Sequence, residues 1–143
     1  MDRFRVIQLL KEDEGFRQKV YLDTKGIPTI GYGRNLRDTG VSEKEAEFLL
    51  ANDIDYAEHQ CQQHFSFWSR LPGQVQDVLV CLAMNMGMGY SARGLLSFEK
   101  MLAAIETGQW EQAAAELVDS QWAQDVGPLR TDKMASLLRT AQV

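Results

Sequence analysis

Glu14, Asp23 and Thr29 are the residues whose types and spacing could do chemistry. They lie in three short runs: Glu14-Gly15-Phe16-Arg17, Tyr21-Leu22-Asp23, and Pro28-Thr29-Ile30-Gly31-Tyr32-Gly33. Two carboxylates in different surroundings, with a hydroxyl to hold a water, are what glycoside hydrolysis needs. One acid protonates the glycosidic oxygen. Its ionised partner activates water or attacks as a nucleophile, according to their separation. The competing assignment is structural: Glu14 caps a helix or pairs with a cation, and Asp23 and Thr29 serve a turn. Asp23-Thr24 before Gly26 is ordinary turn chemistry.

Three elements must position these side chains. Phe4, Val6, Ile7, Leu9 and Leu10 recur at roughly helical spacing behind Asp2 as N-cap, and Gly15 ends that helix. Glu14 then falls in the last turn, where the negative end of the helix dipole favours its protonated form. Val20-Tyr21-Leu22, a Thr24-Lys25-Gly26 turn and Ile27 to Tyr32 predict a short β-hairpin. Gly31 and Gly33 flank Tyr32, which signals close backbone approach or unusual dihedral angles.

Ser42-Glu43-Lys44-Glu45 is a capping box that opens a helix running past Asp53 toward Gln60. Pro72-Gly73 punctuates. Val75, Val78, Leu79, Leu82, Ala83 and Met86 predict another amphipathic helix. Gly87, Gly89 and Gly94 interrupt the chain. Phe98 to Ile105 and Trp110 to Leu117 carry two more apolar stripes, and a last helix follows Gly127-Pro128. The methionine and tryptophan stripes read as core rather than cofactor contacts. The expected class is α+β, mostly helical, with a small N-terminal hairpin segregated from the helices.

The 143 residues make one domain-sized unit of ordinary soluble composition, 45% hydrophobic and 24% charged. The net charge of −5 argues against a nucleic-acid partner. The charge is uneven. Residues 1–40 hold eight Lys/Arg against six Asp/Glu, and residues 41–69 hold one lysine against six acids. A basic rim would suit an anionic polymer such as bacterial cell wall. No apolar run reaches the roughly 20 residues that span a bilayer. The charged N-terminus lacks a following apolar stretch, so no signal peptide is expected.

Cys61 and Cys81 are too few for a disulfide scaffold and are expected to be reduced and structural. His59 and His64 point to different helix faces, and no ligand pair follows at zinc spacing. Gly31-Tyr32-Gly33 lacks the third glycine of a dinucleotide fingerprint. No metal and no cofactor are expected.

The runs Asp13 to Arg17, Tyr21 to Gly26 and Thr29 to Gly33 resemble the phage-type lysozymes (endolysins), glycoside hydrolase family 24 of the T-even type. The similarity thins through Ala83 to Met86, Gly94 to Phe98, Trp110 to Ala114 and Ser120-Gln121-Trp122. The resemblance implies a two-lobed lysozyme-like fold over residues 1–143. Its small lobe would span roughly 14–56 and its helical lobe 1–13 plus 57–143, with the Ser42 helix as linker.

The resemblance also implies hydrolysis of the β-1,4 bond between N-acetylmuramic acid and N-acetylglucosamine in a peptidoglycan strand. Glu14 would be the general acid, Asp23 with Thr29 would position the water, and the outcome would be inversion. Arg130 is the candidate for the arginine that pairs with the catalytic glutamate in relatives; a solvated surface arginine is the other assignment. A monomer is expected, without membrane insertion. It would gather in the host bacterial cytoplasm and need a holin to reach the periplasmic wall.

Three departures from the family stand out. Arg34 replaces a histidine that supports the fold, which predicts altered local ion pairing. The segment from Arg34 to Ser42 is short, so the small lobe should be trimmed. Gly127-Pro128-Leu129-Arg130 stands where relatives are more basic. Two rival functions follow. A lytic transglycosylase would use one acid and leave an anhydro product. A wall-binding module of lysozyme fold would turn nothing over.

Overall fold

The computed structural model describes residues 1–90 and 94–142. Its contacts group the chain into two compact units, Met1–Leu49 and Leu50–Val143.

In the first unit, helix α1 (Arg3–Glu14) starts where the Asp2 carboxylate accepts the Arg5 amide at 3.0 Å. It ends at Gly15, whose φ of 67° lets the cap amide return to the Lys11 carbonyl. Strands β1 (Arg17–Leu22), β2 (Pro28–Gly31) and β3 (Arg34–Asn35) form an antiparallel sheet in that order. Tyr21 faces Thr29, Thr29 faces Asn35, and Ile30 faces Arg34. The pairing of β1 with β2 shifts between Arg17 and Tyr21.

The expected hairpin is therefore a three-stranded sheet. β3 escapes a sequence reading because two residues show no alternation. The grouping differs from the expected lobes at both boundaries: α1 falls with the sheet, because its last turn touches the turn between β2 and β3, and the unit ends at Leu49 rather than near residue 56.

Helix α2 (Glu43–His64) begins at the expected capping box. The Ser42 hydroxyl accepts the Glu45 amide at 3.2 Å, and the Glu45 carboxylate accepts the Ser42 hydroxyl at 2.9 Å. The second unit adds α3 (Gly73–Met86), α4 (Glu99–Glu106), α5 (Trp110–Val118), α6 (Gln121–Val126) and α7 (Pro128–Arg139). Pro72 and Gly87 bound α3, and Pro128 opens α7 from its first turn, where a missing N–H costs nothing.

The core gathers Cys61, Val75, Val78, Leu79, Leu95, Ile105, Leu117 and Leu138, all fully buried. α7 packs on α3, α5 and α6, and α5 packs on α4. The buried Trp122 indole donates to Asn85 Oδ1 at 2.7 Å, so α6 is tied to α3 by a satisfied polar contact. The sequence reading missed α6, although Ser120 is its N-cap and accepts the Ala123 amide. Six residues are too few for a periodic signal.

Cys61 is buried in this core and Cys81 is exposed on α3; both are free. No helix among the described residues is long and apolar enough to cross a membrane.

Candidate active site

Glu14, Asp23 and Thr29 all fall in the first unit, on three neighbouring pieces of chain. Glu14 is the last residue of α1 and is exposed. Its side chain lies across the Cα of Gly33. A Cβ built there would stand 2.8 Å from Glu14 Oε2 and 3.0 Å from its Cδ. Gly33 closes the turn between β2 and β3 with φ of +78°, a region that favours glycine. The glycine pattern around Tyr32 thus marks a close approach at Gly33. At Gly31 it marks only a positive φ, because a Cβ there would meet nothing within 4 Å.

Asp23 is half-buried at the end of β1. Its Oδ1 accepts two amides, from Lys25 at 2.8 Å and Ile27 at 2.9 Å. The backbone closes the same turn, with Gly26 donating to the Asp23 carbonyl and Asp23 donating to the Ile27 carbonyl. Asp23 is therefore a turn residue, as the competing assignment requires. Both side-chain bonds fall on Oδ1.

Thr29 is 4% exposed, one of two buried polar residues among those described. Its hydroxyl donates to the Ile27 carbonyl at 2.8 Å. With the proton committed there, Oγ1 faces any further partner as an acceptor. Thr29 can hold a water only by receiving the water's own O–H. The Asp23 turn and the Thr29 hydroxyl share one backbone residue, Ile27, as common partner.

Arg34 carries an ion pair within the first unit. Its Nη1 stands 2.6 Å from Glu45 Oε2 and donates to the Gly40 carbonyl at 3.1 Å. The Ser42 hydroxyl first and Arg34 second hold the Glu45 carboxyl below its ordinary range. Arg37 forms a two-point pair with Asp38 at 3.1 and 3.2 Å. Its charged form is favoured mainly by Asp38, with a smaller contribution from Asp23. Sequence reasoning missed Arg37.

Arg130 lies in the other unit, in the first turn of α7. It lines a recess of about 820 Å³ with Trp68, Val80, Met84, Lys133 and Met134.

Comparison with known proteins gives a consistent match. The family model described as phage lysozyme matches residues 11–140. The chain is 31% identical to the pre-baseplate central spike protein Gp5 of Enterobacteria phage T4 over 82% of its own length, and spans 24% of that protein. It is 25% identical to probable T4-type lysozyme 1 of Dictyostelium discoideum, over 92% of each chain. Probable T4-type lysozyme 2 of the same organism matches over the same shares at 25% identity.

Proposed function

Because the chain belongs to the phage lysozyme family, we propose that it is a muramidase, hydrolysing the β-1,4 bond between N-acetylmuramic acid and N-acetylglucosamine in bacterial peptidoglycan. Family membership carries lysozyme-type glycan hydrolysis in general; the particular bond is our inference. The observation that carries it is the gathering of Glu14, Asp23 and Thr29 within one small unit, with Thr29 buried beside the turn that Asp23 closes.

Glu14, exposed at a helix end, delivers the proton to the leaving oxygen. Asp23 Oδ2 takes a proton from the attacking water. Thr29 Oγ1 accepts that water's other hydrogen and fixes its orientation. Water on the face opposite the acid would give inversion, the outcome the family resemblance implies. Arg130 is kept as a candidate on the family resemblance alone. An acid that must hold its proton and a base that must be ionised give a bell-shaped pH–rate profile.

The chain would act as a monomer on the periplasmic wall, reaching it from the host cytoplasm through a holin. A second assignment is favoured by the match to a phage spike protein: wall cleavage by an assembled particle.

The test is clearing of permeabilised Gram-negative cells, with mass spectrometry of the released sugars. Glu14→Gln should lower the rate by about 100- to 10,000-fold. Reducing muramic ends support the muramidase. Anhydro ends would establish a transglycosylase, and wall pelleting without release would leave a binding module.

A further inference from the structure

We propose that Tyr32 and Gly33 are positioning residues that seat the Glu14 carboxyl. The proposal rests on the muramidase reading for its effect on rate, but its geometry stands within the first unit alone.

Two sets of contacts fasten the β2–β3 turn to the end of α1. The Tyr32 ring contacts residues on either side of Glu14 in sequence. Lys11 Nζ, one helical turn earlier, stands 5.4 Å from the ring centroid. The Phe16 ring, two residues later, stands 5.7 Å away at an interplanar angle of 48°. Such cation–π and tilted ring contacts hold geometry as well as adding attraction. With Tyr32 held at both points, the next residue falls against the Glu14 side chain.

Gly33 then presents a bare Cα. A Cβ would come within 2.8 Å of Oε2, 3.0 Å of Cδ and 3.3 Å of Cγ. The first separation is shorter than a Cβ contact permits and the other two are tighter than ordinary van der Waals contact, so any other residue would shift the carboxyl. The Glu14 side chain thus occupies the space a side chain at residue 33 would need, and the tyrosine's two partners lie three residues before and two after Glu14 in the chain. A general acid misplaced by about 1 Å loses about 100-fold in rate.

Gly31 supplies the control. It ends β2 beside the same turn with a positive φ of +69°, yet a Cβ there meets nothing within 4 Å. Gly31→Ala and Gly33→Ala therefore carry comparable backbone strain, and only the second touches Glu14.

The experiment compares Gly33→Ala, Gly31→Ala, Tyr32→Ala and Tyr32→Phe with the parent chain. It reads kcat and KM on soluble peptidoglycan fragments and the ¹³C titration of the Glu14 carboxyl. Gly33→Ala should lower kcat about 100-fold with KM within about twofold, and should move the Glu14 resonance. Tyr32→Ala should do the same more weakly, and Tyr32→Phe should restore the parent behaviour. Gly31→Ala should leave the Glu14 resonance in place.

Equal losses in the two glycine variants, or an unmoved Glu14 resonance in Gly33→Ala, would overturn the proposal. So would a moved resonance with unchanged kcat. If Gly33→Ala does not fold, the Tyr32 pair decides by the same two readouts. If the parent chain releases no sugar, the muramidase reading fails while the ¹³C titration still decides whether the seat exists.

Discussion

Arg34 Nη1 and Glu45 Oε2 are 2.6 Å apart, and this pair joins strand β3 to the first turn of helix α2. Arg34 also holds the Gly40 carbonyl, and Glu45 completes the Ser42 capping box. The short connection from the sheet to the helix is thereby fastened at its middle and at its end.

The pair gives the first unit an acid limit. Glu45 sits below its ordinary value of 4.5, through Ser42 and then Arg34. A depressed carboxyl contributes stability above its unfolded pKa, and that contribution disappears as pH falls through the folded one. Thermal melts from pH 6 down to about pH 3 should show a steeper decline in the parent than in Arg34→Ala. The two side chains are partly exposed, so added salt should narrow the difference.

Asp23→Asn should separate charge from structure. The asparagine Oδ1 can still accept the Lys25 and Ile27 amides, so the turn survives and the melting temperature changes little. Hydrolysis should fall by at least about 100-fold, because the amide cannot take a proton from water. Asp23→Ala should lose both the activity and about 1 kcal/mol of stability. Retained product release in Asp23→Asn would point to a one-carboxylate mechanism.

Thr29→Val replaces a buried hydroxyl with a methyl of similar size. The Ile27 carbonyl keeps its second donor, the Asp23 amide, so the stability cost should be about 1 kcal/mol. The rate should drop about 10- to 100-fold through loss of the water's acceptor, with Thr29→Ser close to the parent. Chemical denaturation alongside kinetics distinguishes the two effects.

The cysteines should react on different clocks. Cys81, exposed on α3, should take a thiol reagent in the folded protein, and Cys61 only when the core opens. Burial first, and the Glu58 charge second, push the Cys61 thiol up to about 11. The folded state then keeps a proton that the unfolded chain releases. Stability should fall as pH rises from about 9 to about 11, by at most about 1.4 kcal/mol per unit. Urea midpoints for the parent and Cys61→Ala across that window check the slope.

Local signals were legible because their causes are local. Asp2 and the Ser42–Glu45 box cap helices within one turn of chain, and Gly15 ends α1 by its own dihedral freedom. The short elements were not legible. β3 has two residues and α6 six, and both exist because neighbours supply pairing and packing that no periodicity records.

The same division runs through the candidate site. The sequence alone determined which residues could act: two carboxylates and a hydroxyl at set spacing, and a turn whose glycines signalled close approach or unusual dihedral angles. Only the tertiary structure decided what each atom meets. It turned the Thr29 proton toward Ile27, placed the amides on one oxygen of Asp23, and laid the Glu14 carboxyl across Gly33 rather than Gly31. Chain spacing limits which groups can approach, but strand register and side-chain packing choose the atoms that touch.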